Sequence, residues 1–445
     1  MAYSYNINTS KRDKCSSVCL FFCHAMIQII NLFLNTFLVA QIYYYVNGVN
    51  DYIFKMCIFI GVTYLCMGLA MIPFSHWVEH SNRVWPYRVG IMLRTALVIV
   101  SIFFGRNLSQ MLVLAGALNG ISNAAYYAGY NTIKHEMVSR KFMRGFTVVS
   151  QIGQLAVTII VPVVMGKLID ISTFSQVSFY VLIICAIQIA LSFGVKAKRP
   201  EGSKFDLKDY FKKLKEQPEA YKKIKYLYVG ALIYGCTTIV TNLLNICIMM
   251  EYGSNFGLGA ISSIFSVVSM VTILIVNKWS KAGKRSALYI INAILPFVCT
   301  VLFAIWPSVW ALILFNLGTA ISGIIFKTIY DIYRNGILKE AGLYSEITEH
   351  QALIEILLCV TRVITHGLVL LLALLQSLVL FKIILCISVL SYSGIIIFLL
   401  IYENKFIKNK NETEKVQSAQ TVEQGAEDLD NSTQIKETNM QTEEK

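Results

Sequence analysis

Four polar side chains, His24, Gln28, Asn31 and Asn35, recur at spacings of four, three and four through an otherwise apolar run. On a helix that spacing gathers them on one face. Tyr234, Thr238, Thr241 and Asn245 repeat the same spacing in the second half of the chain. Two further apolar runs carry Asn119, Asn123, Tyr127, Tyr130 and Lys134, and then Asn316, Gly323, Lys327, Tyr330 and Asp331. Amides, hydroxyls and phenols can hold a neutral polar or hydroxylated ligand, with the aromatic rings for packing. No nucleophile pairs with a base, and no Gly-Lys-Ser/Thr loop is present to cradle a phosphate. The chemistry is recognition: no enzyme, no built-in ATP-driven pump, no metal and no cofactor is expected.

A second group is charged. In "FKTIYDIYR", residues 326 to 334, Lys327, Asp331 and Arg334 share one helical face with Tyr330 close by. Further on, Glu355, Arg362 and His366 are spaced by seven and four and also share a face. Arg362 lies eleven residues past Gln351, about 17 Å along a helix. Helical side chains lean toward the N-terminus, so Arg362 points back toward Glu355 and the level of Asp331. Two readings stand: an inner-gate ion network of Lys327, Asp331, Glu355 and Arg362, with His366 beside it, or end-of-helix charges snorkelling to an interface. The depth of Arg362 favours the gate.

The elements that must position these residues follow from composition. Of 445 residues, 56% are hydrophobic and 15% charged, with a mean hydropathy of +0.59. That describes a polytopic membrane protein. Runs able to cross roughly 30 Å of hydrocarbon, about 20 helical residues, fall near 18–46, 52–73, 88–105, 108–133, 146–168 and 175–195. Six more fall near 225–250, 257–277, 286–306, 309–333, 351–375 and 378–402. The fold expected is all-α, with twelve transmembrane helices in two pseudo-symmetric six-helix bundles, 18–195 and 225–402.

Basic residues cluster on one side, at Arg83, Arg88, Arg140, Lys141, Arg144, Lys278, Lys281, Lys284 and Arg285. The positive-inside rule then places both termini in the cytoplasm and assigns the net charge of +13 to topology, with no nucleic-acid partner. Residues 1–17 form a cytoplasmic segment. The linker at 196–224 contains a predicted amphipathic helix: Ser203 and Asp206 start it, Leu207, Tyr210, Phe211 and Leu214 form its apolar stripe, and Pro218 stops it. Such a helix is expected to lie on the anionic inner leaflet. The tail at 403–445 is polar and acidic, the composition of a disordered segment. The eleven cysteines mostly lie inside apolar runs and read as small core- or lipid-facing residues.

The two halves echo each other. "ISNAAYYAGYNTIK" at 121 matches "ISGIIFKTIYDIYR" at 321, aligning Tyr130 with Tyr330, Asn131 with Asp331 and Lys134 with Arg334 at an offset of 200. The polar stripes fall on spans one, four, seven and ten. Any one stripe residue can be interhelical glue; four such helices at a period of three point to a shared central cavity.

This pattern resembles the major facilitator superfamily, of the bacterial twelve-span type. In that family helices one, four, seven and ten surround the substrate cavity, and a cytoplasmic loop joins two six-helix halves. The resemblance runs from 18 to 402. Between spans eight and nine, "SKAGKR" resembles the family's loop motif through Lys281, Gly283, Lys284 and Arg285, with Ser280 in place of the acid. Between spans two and three, "SHWVEHSNR" keeps the acid as Glu79 but has Ser75 and Asn82 where glycines are usual. Span five, Gly153 to Gly166, is similar to the family's antiporter Gly-Pro motif, and span four lacks the mid-helix arginine of many proton-coupled members. The resemblance implies a monomeric secondary transporter of the plasma membrane, in contact with membrane lipids, that moves a small polar or amphipathic molecule. A proton or sodium gradient is the candidate energy source, and efflux is slightly favoured over uptake. No acid in span one awaits a cationic drug, and an anion held by Arg362 or Lys327 stays open. The alternatives are a lipid-linked precursor flippase or a non-transporting membrane sensor or scaffold.

Overall fold

The computed structural model describes residues 11–44, 49–103, 107, 111–137, 140–197, 204–252, 255–281, 285–306, 308–340 and 346–375, with 379, 383, 384, 391 and 394 beyond them. These residues form helices and short connections. The first span is α1 (Lys11–Leu32), a π-helical segment (Phe33–Leu38) and α2 (Val39–Tyr44). Spans two to six are α3 (Val49–His80), α4 (Val84–Phe103), α5 (Leu112–Met137), α6 (Arg140–Ile171) and α7 (Phe174–Ser192). The linker helix α8 (Leu207–Lys215) precedes α9 (Pro218–Tyr252), α10 (Asn255–Lys281), α11 (Arg285–Ile305), α12 (Val309–Glu340) and α13 (Ile347–Leu375). Eleven of the expected spans are therefore helices; the twelfth and the acidic tail lie almost wholly outside the described residues.

Eight described segments are long and apolar enough to cross a membrane. The fourth span, α5, is not among them, because Asn119, Asn123, Tyr126, Tyr127 and Tyr130 lower its hydropathy. A helix that polar needs protein or water around most of its circumference. Within the first half, α5 packs against α3 and α4, α7 against α4 and α1, and α6 against α1. In the second half α12 packs against α11 and α10, and α13 against α9. The most extensive pairs between the halves are α3 with α13 and α6 with α10, with smaller contacts of α5 on α13 and α2 on α9. Exchanging spans by six converts one extensive pair into the other, as a two-fold relation between halves requires.

Two of these contacts depend on missing side chains. A Cβ on Gly120 would lie 2.2 Å from the Thr63 carbonyl oxygen of α3. A Cβ on Gly259 of α10 would lie 2.1 Å from the Pro162 oxygen of α6, and one on Gly166 2.4 Å from the Asn255 oxygen. Backbone approaches backbone there, the close packing that small residues permit in a bilayer.

Helix ends are satisfied by nearby side chains. Thr173 and Gln176 form a capping box on α7. Asn82 accepts the Val84 N–H at 3.1 Å as α4 begins, so the residue standing at a usual glycine position serves as a turn former. Asp206 alone caps α8, accepting from the Lys208 and Asp209 N–H groups; Ser203 lies outside the described residues. Pro218 is the first residue of α9, where its fixed φ and missing donor suit a helix start.

The linker helix differs from expectation in its burial. Tyr210 and Leu214 are buried within the protein, and the Tyr210 hydroxyl lies 2.8 Å from Tyr228 of α9 and 3.2 Å from His350 Nδ1 of α13. The apolar stripe meets other helices because they offer hydroxyl and imidazole partners that lipid lacks. Burial pushes the Tyr210 phenol up to about 12, so it stays protonated at neutral pH. The described cysteines are all free thiols.

Candidate functional site

The first stripe is built around an aromatic stack. His24 of α1 lies 4.1 Å, ring to ring, from Tyr130 of α5, and its Nδ1 is 3.0 Å from the Tyr126 hydroxyl. Tyr126 and Tyr130 are themselves stacked at 5.6 Å. Gln28 lies 3.4 Å from His24 Nε2 and accepts from Gln154 of α6 at 3.4 Å. The second half repeats the arrangement. Tyr234 of α9 lies 4.8 Å from Phe326 and 6.3 Å from Tyr330 of α12, and those two rings are 5.4 Å apart. The Tyr330 hydroxyl donates to the Leu227 carbonyl at 3.0 Å. Tyr126 and Tyr130 become Phe326 and Tyr330 at the offset of 200, the first pair stacked on His24 and the second tilted against Tyr234, each the first stripe residue of its partner helix.

The other stripe residues divide. Asn119 and Asn123 both accept from the guanidinium of Arg94 in α4, Asn119 at 2.8 Å, and Tyr127 packs edge-on to Tyr126 at 5.2 Å. Asn31 carries a buried Oδ1 with no hydrogen-bond partner among the described residues. Asn35 falls in the π-helical segment and is exposed while Phe33, Leu34, Phe37 and Leu38 are buried. The wider π turn carries it round from the face of the first three. Asn316 donates to the Leu312 carbonyl of its own helix at 2.8 Å, which consumes that donor locally. Thr238, Thr241 and Asn245 lie on α9 and Lys327 and Asp331 on α12, with side chains outside the described residues.

Arg362 of α13 sits 4.8 Å over the Tyr64 ring of α3. Tyr64 in turn lies 5.7 Å from His366, and His366 Nδ1 donates to the Arg362 carbonyl at 2.6 Å. Glu355 and Tyr234 share the electrostatic field of Tyr64 and Arg362. Among the described residues no ion pair joins Glu355 to Arg362. The cation over a ring thus joins spans two and eleven, with Tyr234 of span seven in its field.

Both ends of the bundle carry contacts between halves. At the linker end Glu79 pairs with Arg83 at 2.7 Å, with side chains only 6% and 5% exposed. Its other oxygen accepts from Thr348 at the start of α13 at 2.6 Å, and Thr348 meets Thr132 of α5 at 3.3 Å. Phe205 of the linker packs with Met67, Met71 and Val78 of α3 and Ala352 of α13. Lys213 bridges Asp209 at 2.8 Å and Glu346 at 2.7 Å, which hold its ammonium above the ordinary lysine range. The Asp206 N–H donates to Glu349 at 3.2 Å. At the opposite end Asp170 of α6 accepts from the Asn255 and Phe256 backbone N–H groups and from Asn255 Nδ2. One helix thus caps the start of α10 in the other half.

Residues 17–341 match the family model described as Major Facilitator Superfamily. The chain belongs to the Major Facilitator Superfamily. A curated relative, the uncharacterized protein YqgE of Bacillus subtilis (strain 168), is 22% identical over 213 residues, 46% of this chain. The match takes in 49% of that relative, so the chain spans about half its length. Similar solved structures include the nucleoside transporter NupG, at TM-score 0.61 and 12% identity over 86% of this chain and 99% of that one. A POT family transporter in complex with 5-aminolevulinic acid gives TM-score 0.65 and 14% identity over 88% and 96%. Another, in complex with a thioalcohol-conjugated peptide, gives 0.66 and 13% over 88% and 96%. At such identities the likeness is one of fold. The protein is a multi-pass membrane protein of this superfamily.

Several residues of this superfamily member were not singled out by sequence reading. Arg94 carried a signal, a cation six residues into a span. Tyr126 precedes a stripe residue, and Thr132, Asp170 and Thr348 are small polar residues near helix ends, where polar residues are ordinary.

Proposed function

We propose that the chain is a secondary-active, alternating-access transporter of the plasma membrane, with both termini and the linker in the cytoplasm. A small polar or amphipathic molecule binds between the halves, against spans one, four, seven and ten. The observation that carries this reading is the pair of matched aromatic clusters, His24 with Tyr126 and Tyr130, and Tyr234 with Phe326 and Tyr330. Equivalent clusters on equivalent helices give each half one wall of a midplane site. The Glu79–Thr348 contact closes the cytoplasmic end, and Asp170 on α10 closes the outer end. Transport alternates which of the two is broken. The Arg362 cluster lies on the cytoplasmic side of the site with Lys327, Asp331, Glu355 and His366. A proton or sodium gradient drives the cycle, and the glycine–proline packing of α6 on α10 supports efflux over uptake. Fold neighbours named for nucleosides and peptides support small polar solutes.

The test is flux in proteoliposomes under an imposed proton or sodium gradient, with labelled dipeptides, nucleosides, sugars and amino-carboxylates. Gradient-driven movement of one class, reduced at least tenfold by Tyr130→Ala or Tyr330→Ala in folded protein, is the expected result. A protein that moves none of these classes, or moves one equally well after both substitutions, overturns the reading.

A further inference from the structure

Arg94 is 1% exposed on α4, and among the described residues no carboxylate pairs with it. Its two hydrogen-bond acceptors are the side-chain oxygens of Asn119 and Asn123 on α5. A buried cation balanced only by amide dipoles is costly, and inside a membrane protein such a group points to function. The guanidinium also fixes orientation. It has donors only, so each amide must turn its oxygen toward Arg94 and its NH₂ away. The Asn119 amide then donates to Thr63 Oγ1 at 3.5 Å. Asn123 is partly exposed, and Arg94 is the one partner its side chain has among the described residues. Its NH₂ is left as an accessible donor. Tyr127, one turn further along the same face, lies in the field of the same guanidinium.

We propose that Arg94 is a positioning and specificity-determining residue: it locks Asn123 as a donor and places a buried positive charge behind it, so that this wall of the cavity selects a carboxylate or phosphate on the substrate. The inference rests on the transporter reading for the existence of the cavity. A cation behind a fixed donor favours an anion over its neutral isostere, because the water-poor setting strengthens the charge and the donor needs no reorientation.

The field can be measured without knowing the substrate. In a background freed of native cysteines, Asn123→Cys and Tyr127→Cys are each treated with the negatively charged sulfonatoethyl and the positively charged trimethylammonium-ethyl methanethiosulfonates. The sulfonate reagent is expected to react faster relative to its cationic partner than at an exposed reference thiol, by about tenfold. Arg94→Gln should collapse that ratio and Arg94→Lys should keep most of it. Asn119→Asp, which neutralises Arg94 in place and preserves packing if Arg94→Gln does not fold, should collapse it too. An unchanged ratio in the neutralised variant, or no reaction at either position, overturns the proposal. Dipeptide and its C-terminal amide, and glucose 6-phosphate and glucose, are then compared as protectants. Stronger protection by the anionic member supports the substrate class, and equal protection or none by the anion overturns it. Failure of flux in proteoliposomes sinks the transporter reading separately, since thiol reactivity reports the field whether or not anything is carried.

Discussion

Arg362 shows how a buried charge can bridge two spans through an aromatic ring. Its guanidinium lies over the Tyr64 ring, and its backbone carbonyl accepts from His366, so span eleven meets span two through a cation–π contact. Such a contact is worth about 0.5–2 kcal/mol, small enough for the position to reorganise during a transport cycle. If Asp331 pairs with Arg362 in one gate state, Asp331→Asn and Arg362→Gln should each impair flux with the protein folded and inserted. Breaking a buried pair costs about 3–5 kcal/mol, whereas an exposed pair contributes about 1 kcal/mol or less. The exchange Asp331→Arg with Arg362→Asp should recover part of the flux, and normal flux in both single variants would rule the pair out. Arg362 was legible in the sequence because one helix carried its depth and its spacing from Glu355. The role of Arg94 was not, since its acceptors lie on a neighbouring helix 25 and 29 residues away. Spacing along one helix does not report such partners.

At the scale of elements, hydropathy marked runs that form helices, because lipid imposes that constraint locally, while helical periodicity alone missed the π turn that carries Asn35 away from the face of His24 and Gln28. It could not locate the surface that α8 covers. A stripe of Leu207, Tyr210, Phe211 and Leu214 has one appearance whether it meets acyl chains or helices; only the partners at Tyr228 and His350 decide. Docked there, α8 ties the linker to the start of α13. Asp206→Ala removes a cap that accepts from two backbone N–H groups and should destabilise α8 by about 1 kcal/mol. Amide exchange over 207–215 should then rise about fivefold, with the α3–α5 core unchanged. Exchange unaltered at 207–215 would show that packing of Tyr210 and Leu214 suffices to hold it. A bulky residue tests the opposite packing: Gly259→Leu forces α6 and α10 apart at Pro162 and should cost on the order of 1–3 kcal/mol, read as a lowered Tm.

Across the whole molecule, the contacts at the two ends oppose one another. The linker end is fastened by Glu79, buried and shared between Arg83 and Thr348, and the other end by Asp170 on the first N–H groups of α10. Both are carboxylates accepting from donors across or beside the junction between halves, and both are made in this structure. Each 1.4 kcal/mol, about one charge-assisted hydrogen bond, changes the ratio of two states about tenfold. Glu79→Gln keeps the side-chain shape but loses the charge that holds Arg83, so it should open the linker end. Asp170→Asn should open the other. Spin labels placed across α3 and α13 near the linker, and across α6 and α10 near Ile171, read the two openings as distance distributions. The longer-distance population should grow at the linker end alone for Glu79→Gln and at the opposite end alone for Asp170→Asn. In the double variant each loss offsets the other, because the two open states compete for one population, and the balance between ends should return toward that of the unaltered protein. If either single variant widens both ends together, the contacts are structural fastenings of one rigid bundle, and alternation must be sought elsewhere in the fold.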